Sequence, residues 1–358
     1  MRRPLTPLWL AERSRVAGLS QRAARIGLAL LGLFLLATLS VLTMPPSLAD
    51  TGFYASVVDG VRHGGNYYAV TADALRGGDY PLRPVFTFEL PTLAVVTGHL
   101  PPFVVRLLLY ALVVAAATAW HARLKAALAT TGARWFAAAM LFFALVPMLR
   151  PSLIVVPEAW AALFVALSLA VRKPGQWLDA VALGLAAALI CQTAIVYLVI
   201  MAVFALVERT RRESLGWVVA IGVFLVAFAA HVHAVGEVVR PLDPAGDPFG
   251  LLGFGLFVDG MVGATILAFL PLWLAGPLVG IALFGWAVWR NATGLRAIAL
   301  AVAAAIGIAL FGRDNTAHWA LLLAPLLLPG LAFAADGVRD LLGAALDGRR
   351  ITVTRIVR

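Results

Sequence analysis

Acidic residues are concentrated in one polar stretch, residues 47–102, near the start of an otherwise apolar chain. Asp50 and Asp59 lie within it, and a positioned carboxylate can take the proton from a hydroxyl that attacks another carbon centre. Both residues also have structural interpretations. Asp50 suits the N-cap of a following helix, and Asp59 suits the solvated face of that helix. The sequence leaves the choice of base between them open.

The same stretch holds polar and aromatic side chains that could bind a donor or an acceptor. Interfacial anchoring explains its tyrosines equally well, because such rings favour headgroup depth. A histidine before Gly64-Gly65 also suits the C-terminal end of a helix. Arg83 and Glu89 could pair within the stretch. The candidate binding residues here are Tyr54, Arg62, His63, Asn66, Tyr67 and Arg83.

Three further candidates lie far along the chain: Glu158, Arg313 and His318. We predict that Glu158 lies in a membrane helix that Pro157 bends, roughly 10 Å below the outer face at about 1.5 Å per residue. An ionisable group there costs roughly 2.5–3.5 kcal/mol, which indicates a cavity or a partner. Arg313 at an outer helix end could bind a phosphate, although snorkelling to headgroups would also explain it.

The sequence gives no positive sign of a cofactor. Cys191 is the only cysteine, and no Cys/His spacing resembles a zinc site. A divalent metal is compatible with the sequence but not indicated by it. We also expect no nucleic-acid partner, because the chain has no nucleic-acid-binding motif.

The elements that position these residues must be membrane helices. Hydrophobic residues make up 62% of the 358 residues and charged residues 13%, against about 25% charged in soluble domains. The mean hydropathy is +0.94. The net charge of +10 comes from basic residues clustered between apolar stretches, which is typical of the cytoplasmic ends of membrane helices.

We predict an all-α fold: a polytopic transmembrane helix bundle of about ten helices, with nine or eleven as alternatives. The stretch 177–207 has basic residues on both sides, so it needs an even number of crossings and should turn near Gln192-Thr193. The stretch 251–270 should be interfacial or re-entrant. The predicted spans are 26–44, 103–121, 135–149, 152–171, two within 177–207, 215–235, 271–289, 297–311 and 318–335.

The domain organisation follows from these spans. We expect a basic cytoplasmic tail 1–25, a transmembrane domain 26–336 containing the outward stretch 47–102, and a second basic tail 337–358. Within the outward stretch, glycine pairs should separate two short interfacial helices, the second over Tyr67–Arg76. Both termini should be cytoplasmic, in a protein integral to a bacterial inner membrane and in contact with its lipids.

The order of features in the outward stretch resembles the GT-C superfamily of membrane glycosyltransferases. An acid follows the first helix, a tyrosine comes four residues later, and a Gly/Asn break separates two short helices before a proline-containing stretch. The resemblance implies an essential carboxylate close to the end of the first helix, a position that Asp50 matches. The superfamily usually has two adjacent acids, whereas Thr51 follows Asp50 here, so Asp59 stays a competitor.

The resemblance extends to Pro157-Glu158-Ala-Trp160 and to the segment 312–325 before the last helix. It implies an inverting transfer of a sugar from a polyprenyl-phosphate-linked donor at the outer face, with late basic residues facing the lipid phosphate. A lipid-linked donor requires no nucleotide-binding loop.

Two other functions fit the sequence. One is a transporter or flippase for a lipid-linked or polar solute, although transporters usually place charges and broken helices near the membrane midplane. The other is a non-catalytic membrane protein of envelope assembly. The sugar, the acceptor and the oligomeric state do not follow from the sequence.

Overall fold

The computed structural model describes residues 6–43, 51–247, 250–312 and 317–346. Within these ranges the chain is all-helical, and β pairing is limited to three isolated bridges. The α-helices are α1 Gln21–Thr38, α2 Thr51–Arg62, α3 Tyr67–Gly77, α4 Thr92–His99, α5 Pro102–Ala127, α6 Thr131–Leu145, α7 Pro157–Val171, α8 Leu178–Ile190, α9 Ile195–Val207, α10 Arg211–Val238, α11 Phe254–Gly263, α12 Leu272–Val288, α13 Ala292–Phe311, α14 Ala324–Leu327 and α15 Leu331–Ala345.

Six helical segments of the described chain are long and apolar enough to cross a membrane. They are Gln21–Thr43, Pro102–Ala127, Thr131–Leu149, Arg211–Val238, Ala292–Phe311 and His318–Ala345. Shorter apolar helices, α7, α8, α9, α11 and α12, pack among them. The chain is therefore an all-α integral membrane protein.

The helices run between two ends of the bundle that differ in chemistry. At one end, the loop side, α2, α3 and α4 lie together with their connections. At the other end, the arginine side, Arg172, Glu208, Glu213 and Arg296 form ion pairs.

α8 and α9 show how a segment joins the two ends. The carbonyl of Leu189 accepts a hydrogen bond from Thr92 on the loop side, and Gln192 donates to the backbone of Phe88 there. Glu208, directly after α9, pairs with Arg172 on the arginine side. The chain therefore reverses between α8 and α9, and the predicted turn near Gln192-Thr193 is confirmed.

Small residues let the helices approach closely. A Cβ built on Gly285 of α12 would lie 1.8 Å from the carbonyl oxygen of Gly330, so no larger residue fits. Close backbone approach of this kind is how membrane helices gain packing where the lipid supplies no hydrophobic drive. Two buried indole N–H groups have hydrogen-bond acceptors: Trp120 donates to the carbonyl of Ala166, and Trp286 donates to the carbonyl of Leu326.

Three helix predictions need comment. The helix expected from residue 152 begins only at Pro157, after a 3-10 segment over Pro151–Val155. Proline fits a first helical position because its missing N–H has no partner there, so Pro157 starts the helix instead of bending it. The predicted second loop helix is confirmed as α3. The stretch 251–270 contains α11, which is mostly buried within the bundle, and its re-entrant or interfacial position stays a prediction.

The segment before α1 packs against the bundle. The carboxylate of Asp336 in α15 accepts hydrogen bonds from the backbone N–H groups of Leu8, Trp9 and Leu10, at 2.5, 2.8 and 2.9 Å. Leu10 also forms an isolated bridge with Leu128 after α5. From residue 6 onward, the predicted basic tail is thus a strap held to the helices.

Candidate functional site

Five buried or half-buried polar side chains from five different elements meet beneath the outward loop. We call them the loop-side cluster: Tyr54 of α2, Glu89 just before α4, Glu158 in the first turn of α7, Cys191 at the end of α8, and His318 in the 3-10 segment that precedes α14.

Short distances join the members of this cluster. The Tyr54 hydroxyl lies 3.4 Å from His318 Nε2, and the same nitrogen lies 3.4 Å from Glu158 Oε1. A carboxylate oxygen of Glu89, one of Glu158 and the Cys191 sulfur lie within 4.8 Å of one another. Three residues predicted from sequence, Tyr54, Glu158 and His318, are thus neighbours in the structure.

The Glu158 carboxylate is fully buried and poorly satisfied, and Glu89 is half-buried beside it. Glu158 is 0% exposed, and neither of its carboxylate oxygens has a hydrogen-bond donor among the described residues. Glu89 Oε2 also has none. An uncompensated buried charge costs several kcal/mol, and the N-terminal dipole of α7 offsets only part of this for Glu158. Such an arrangement needs a proton or a cation.

The backbone around Glu89 is held from two directions. The Tyr67 hydroxyl donates to the Glu89 carbonyl at 2.6 Å, and Gln192 Nε2 donates to the Phe88 carbonyl at 3.1 Å.

Burial, and then the nearby charge of Glu158, raise the pKa of Glu89 well above its ordinary value. Glu89 therefore favours the protonated form unless a positive charge lies beside it.

A small cavity opens next to this cluster, and its walls include Tyr54, Tyr67, Glu89 and Pro157. Its volume is about 20 Å³, room for about one water molecule. The loop elements are thus closed down on the carboxylates, and a larger ligand would require them to move apart.

A clasp between two loops covers the loop side. Arg76 at the end of α3 donates to both carboxylate oxygens of Asp243, at 3.0 and 2.7 Å. Hydrogen bonds from Arg76 and from the backbone N–H of Arg240 lower the pKa of Asp243 to about 2. Arg83 donates to the carbonyls of Pro241 and Asp243, so in this arrangement it joins loops and does not face the cluster.

Four other predicted residues lie outside the loop-side cluster. Asp59 of α2 and His63 just after that helix are mostly exposed, with their side chains 3.5 Å apart. Arg62 donates to the carbonyl of Thr97, and Asn66 caps α3. Their predicted part in binding or catalysis stays a prediction, and two further candidates, Asp50 and Arg313, lie outside the described residues.

Sequence reasoning missed two members of the cluster. The sequence allows Glu89 to pair with Arg83, and Cys191 by itself indicates no site. Both residues lie in connections between helices. Glu89 directly precedes Leu90-Pro91, and Cys191 directly precedes the turn at Gln192. Nothing local in the sequence indicates that these two positions lie close together in the fold.

A second buried polar group occupies the arginine side, and we call it the arginine-side network. Arg172 and Glu213 form a bidentate pair with two distances of 2.9 Å. Glu208 Oε2 accepts from Arg172 at 2.9 Å and from Arg296 at 2.7 Å. Arg123 donates to the backbone of α7 and to Thr293. The two glutamates here are each paired with an arginine, and Arg123 is held by backbone carbonyls and the Thr293 hydroxyl.

Comparison with known protein families, curated proteins and solved structures gave no match to this chain.

Proposed function

We propose that this protein is a membrane glycosyltransferase of the GT-C type, which transfers a sugar from a polyprenyl-phosphate-linked donor to an acceptor on the loop side. The observation that carries the proposal is that Tyr54, Glu158 and His318 are neighbours, while the buried carboxylate of Glu158 has no hydrogen-bond donor among the described residues. Bundle packing alone gives no reason to bury Glu158 there, since an apolar residue would cost less.

The topology proposed with this function has ten crossings. What supports it is that four short helices, α7, α8, α9 and α12, accompany the six long segments. Short helices of this kind need flanking turns to cross a hydrocarbon core of about 30 Å. α7 is the clearest case, because Glu158 near its start is in the loop-side cluster and Arg172 after its end is in the arginine-side network.

The same proposal sets the orientation. Basic residues favour the cytoplasmic face, which assigns the arginine side to the cytoplasm and the loop side to the outside of a bacterial inner membrane. Membrane lipids and the lipid-linked donor are the partners that this orientation implies.

The reaction assigns separate tasks to the residues. A carboxylate, Asp50 in first place, takes the proton from the acceptor hydroxyl as it attacks the anomeric carbon. The bond from that carbon to the donor phosphate breaks, and the configuration inverts. Arg313 and His318 stabilise the departing phosphate as cationic or hydrogen-bonding donors, while Tyr54 and Glu158 orient the sugar.

The test uses the full chain in lipid nanodiscs, with membranes that supply acceptors and a panel of polyprenyl-phosphate-linked sugars. Release of polyprenyl phosphate reports transfer whatever the acceptor. We expect D50N and E158Q to lower the rate at least about 100-fold, the size of a lost acid–base or orienting group. E237Q is the control, because Glu237 is 70% exposed beside His233.

The comparison of D50N with D59N decides between the two candidate bases. Full activity of D50N together with loss in D59N would move the base to Asp59. If no donor is consumed and sealed proteoliposomes instead accumulate a solute unchanged, the transferase proposal fails and the transporter takes its place.

A further inference from the structure

Glu89, Glu158 and Cys191 form a compact set of metal-ligand types within the loop-side cluster. One ligand atom from each lies within 4.8 Å of the other two. They come from three separate parts of the chain: the segment before α4, the first turn of α7 and the position after α8. We propose that these three side chains bind one divalent transition-metal ion of the zinc type.

The unsatisfied carboxylates are the first reason. Within the described part of the chain, both oxygens of Glu158 and one oxygen of Glu89 lack hydrogen-bond donors, although Glu158 is 0% exposed. Among the described residues neither glutamate has a lysine or arginine partner. Buried charges are normally paired or coordinate metals, and a divalent ion among the three groups would satisfy the orphaned oxygens together.

The distances are the second reason. Zinc binds carboxylate oxygen at about 2.0–2.2 Å and thiolate sulfur at about 2.3 Å, so ligand atoms around it lie about 3.5 Å apart. Because the three ligand atoms lie within 4.8 Å of one another, a shift of at most roughly 1 Å at the ends of the two glutamate side chains brings them to that spacing. The backbone of Glu89 is already fixed by Tyr67 and Gln192, so the carboxylate alone has to adjust.

The ligand chemistry selects the class of ion. Mg²⁺ and Ca²⁺ prefer all-oxygen sites, whereas a thiolate favours softer ions such as Zn²⁺. Binding releases the thiol proton of Cys191 and any proton held by Glu89. Three protein ligands are typical of zinc sites that keep one position for water or substrate.

Binding of the ion does not depend on the transferase proposal. Its use in transfer, where the cation would offset the charge of the donor phosphate, does rest on that proposal. Metal binding and sugar transfer are therefore measured separately.

The experiment titrates Co²⁺ and then Zn²⁺ into purified full-length protein after treatment with a chelator. Cys191 is the only cysteine, so a thiolate-to-cobalt absorption band reports this site and no other. We expect the band to saturate at one Co²⁺ per chain and to disappear when Zn²⁺ is added. Elemental analysis should then find one zinc per chain.

Substitutions locate the ion. C191S should abolish the band, and C191S, E89Q and E158Q should each weaken Zn²⁺ binding at least about 10-fold. E237Q should bind like the unaltered protein, and it also detects any adventitious site at the exposed His233–Glu237 pair. Size-exclusion profiles confirm that each variant is folded, and the titration of the unaltered protein remains decisive if a variant is not.

Two results would overturn the site: folded protein without a thiolate-to-cobalt band, or Zn²⁺ binding that C191S and E158Q leave unchanged. Transfer that continues without bound metal leaves the transferase and removes the ion's use in transfer, whereas a bound ion without transfer of any donor leaves the site and removes the transferase.

Discussion

The two ends of the bundle both bury charged side chains, but only one end balances them. In the arginine-side network, Arg172 meets Glu213 and Glu208, and Glu208 also meets Arg296. In the loop-side cluster, the described part of the chain brings Glu158 near Glu89 with only His318 as a cationic neighbour. The first arrangement has its charges satisfied internally, while the second leaves a place for a positively charged group.

This difference indicates what each end is for. A paired network contributes to holding the helices in one arrangement, since breaking one partner leaves a buried charge alone. An unpaired buried carboxylate weakens the fold, so its presence is better explained by binding or chemistry. The comparison predicts that variants at the two ends should separate stability from activity.

The largest effect should come from the arginine-side network. R172M leaves Glu213 buried without its bidentate partner, so we expect a loss of about 3–5 kcal/mol of stability. Unfolding followed in detergent, by near-ultraviolet circular dichroism against denaturant, measures it. R212M, at an exposed arginine in the first turn of α10, is the control. A loss below about 1 kcal/mol in R172M would mean that this network is not a structural anchor.

A smaller effect of opposite sign should follow at the loop side. In chelator, E158Q replaces a buried carboxylate close to that of Glu89 with an amide that can donate a hydrogen bond to it. We expect unchanged or raised stability, by up to about 2 kcal/mol, together with the loss of transfer described above. The same denaturant titration measures it. Marked destabilisation in the absence of metal would show that Glu158 is structural and would erase the contrast between the ends.

The smallest effect concerns the Arg76–Asp243 clasp above the loop-side cluster. Hydrogen bonds lower the pKa of Asp243 to about 2 from an ordinary value of 3.8. Its contribution is therefore complete above about pH 4 and is lost as the pH falls towards 2. Hydrogen exchange of residues 238–247, corrected for intrinsic rates, should accelerate over that range.

D243N should show the fast exchange at every pH. D73N is the matched control, because Asp73 contacts the same arginine but is 75% exposed. Equal responses of the two variants would show that the clasp does not depend on the buried carboxylate.

Local patterns in the sequence predicted much of the fold. Apolar length and flanking charge gave most of the long helices and the reversal near Gln192, and glycine pairs gave the bounds of α3. The last predicted span, 318–335, was wrong in its bounds: it is divided into 3-10 and α-helical pieces, and its main helix, α15, runs to Ala345. The start of α7 was placed too early, because the 3-10 segment before Pro157 is as apolar as a helix. Hydropathy alone does not distinguish these two conformations.

The loop-side cluster was predicted only in part, for a different physical reason. Glu158 and His318 were identified because a polar residue in an apolar surrounding is itself unusual. Glu89 and Cys191 were missed because they matter only through contacts between helix connections that are far apart in sequence. Such contacts leave no periodic pattern in the sequence. Similarly, nothing near Arg172 in the sequence predicts that Glu213 is its partner.

The strap at the start of the chain has a consequence for biosynthesis. Leu8 and Asp336 are 328 residues apart in sequence, and domains of a growing chain fold in the order of synthesis. The strap segment emerges first, yet its anchor is made only after nearly all the membrane helices. Docking of the strap onto Asp336 therefore belongs to the final stage of insertion, and a chain stalled before α15 would hold its early segment only through contacts with earlier elements, such as the bridge at Leu128.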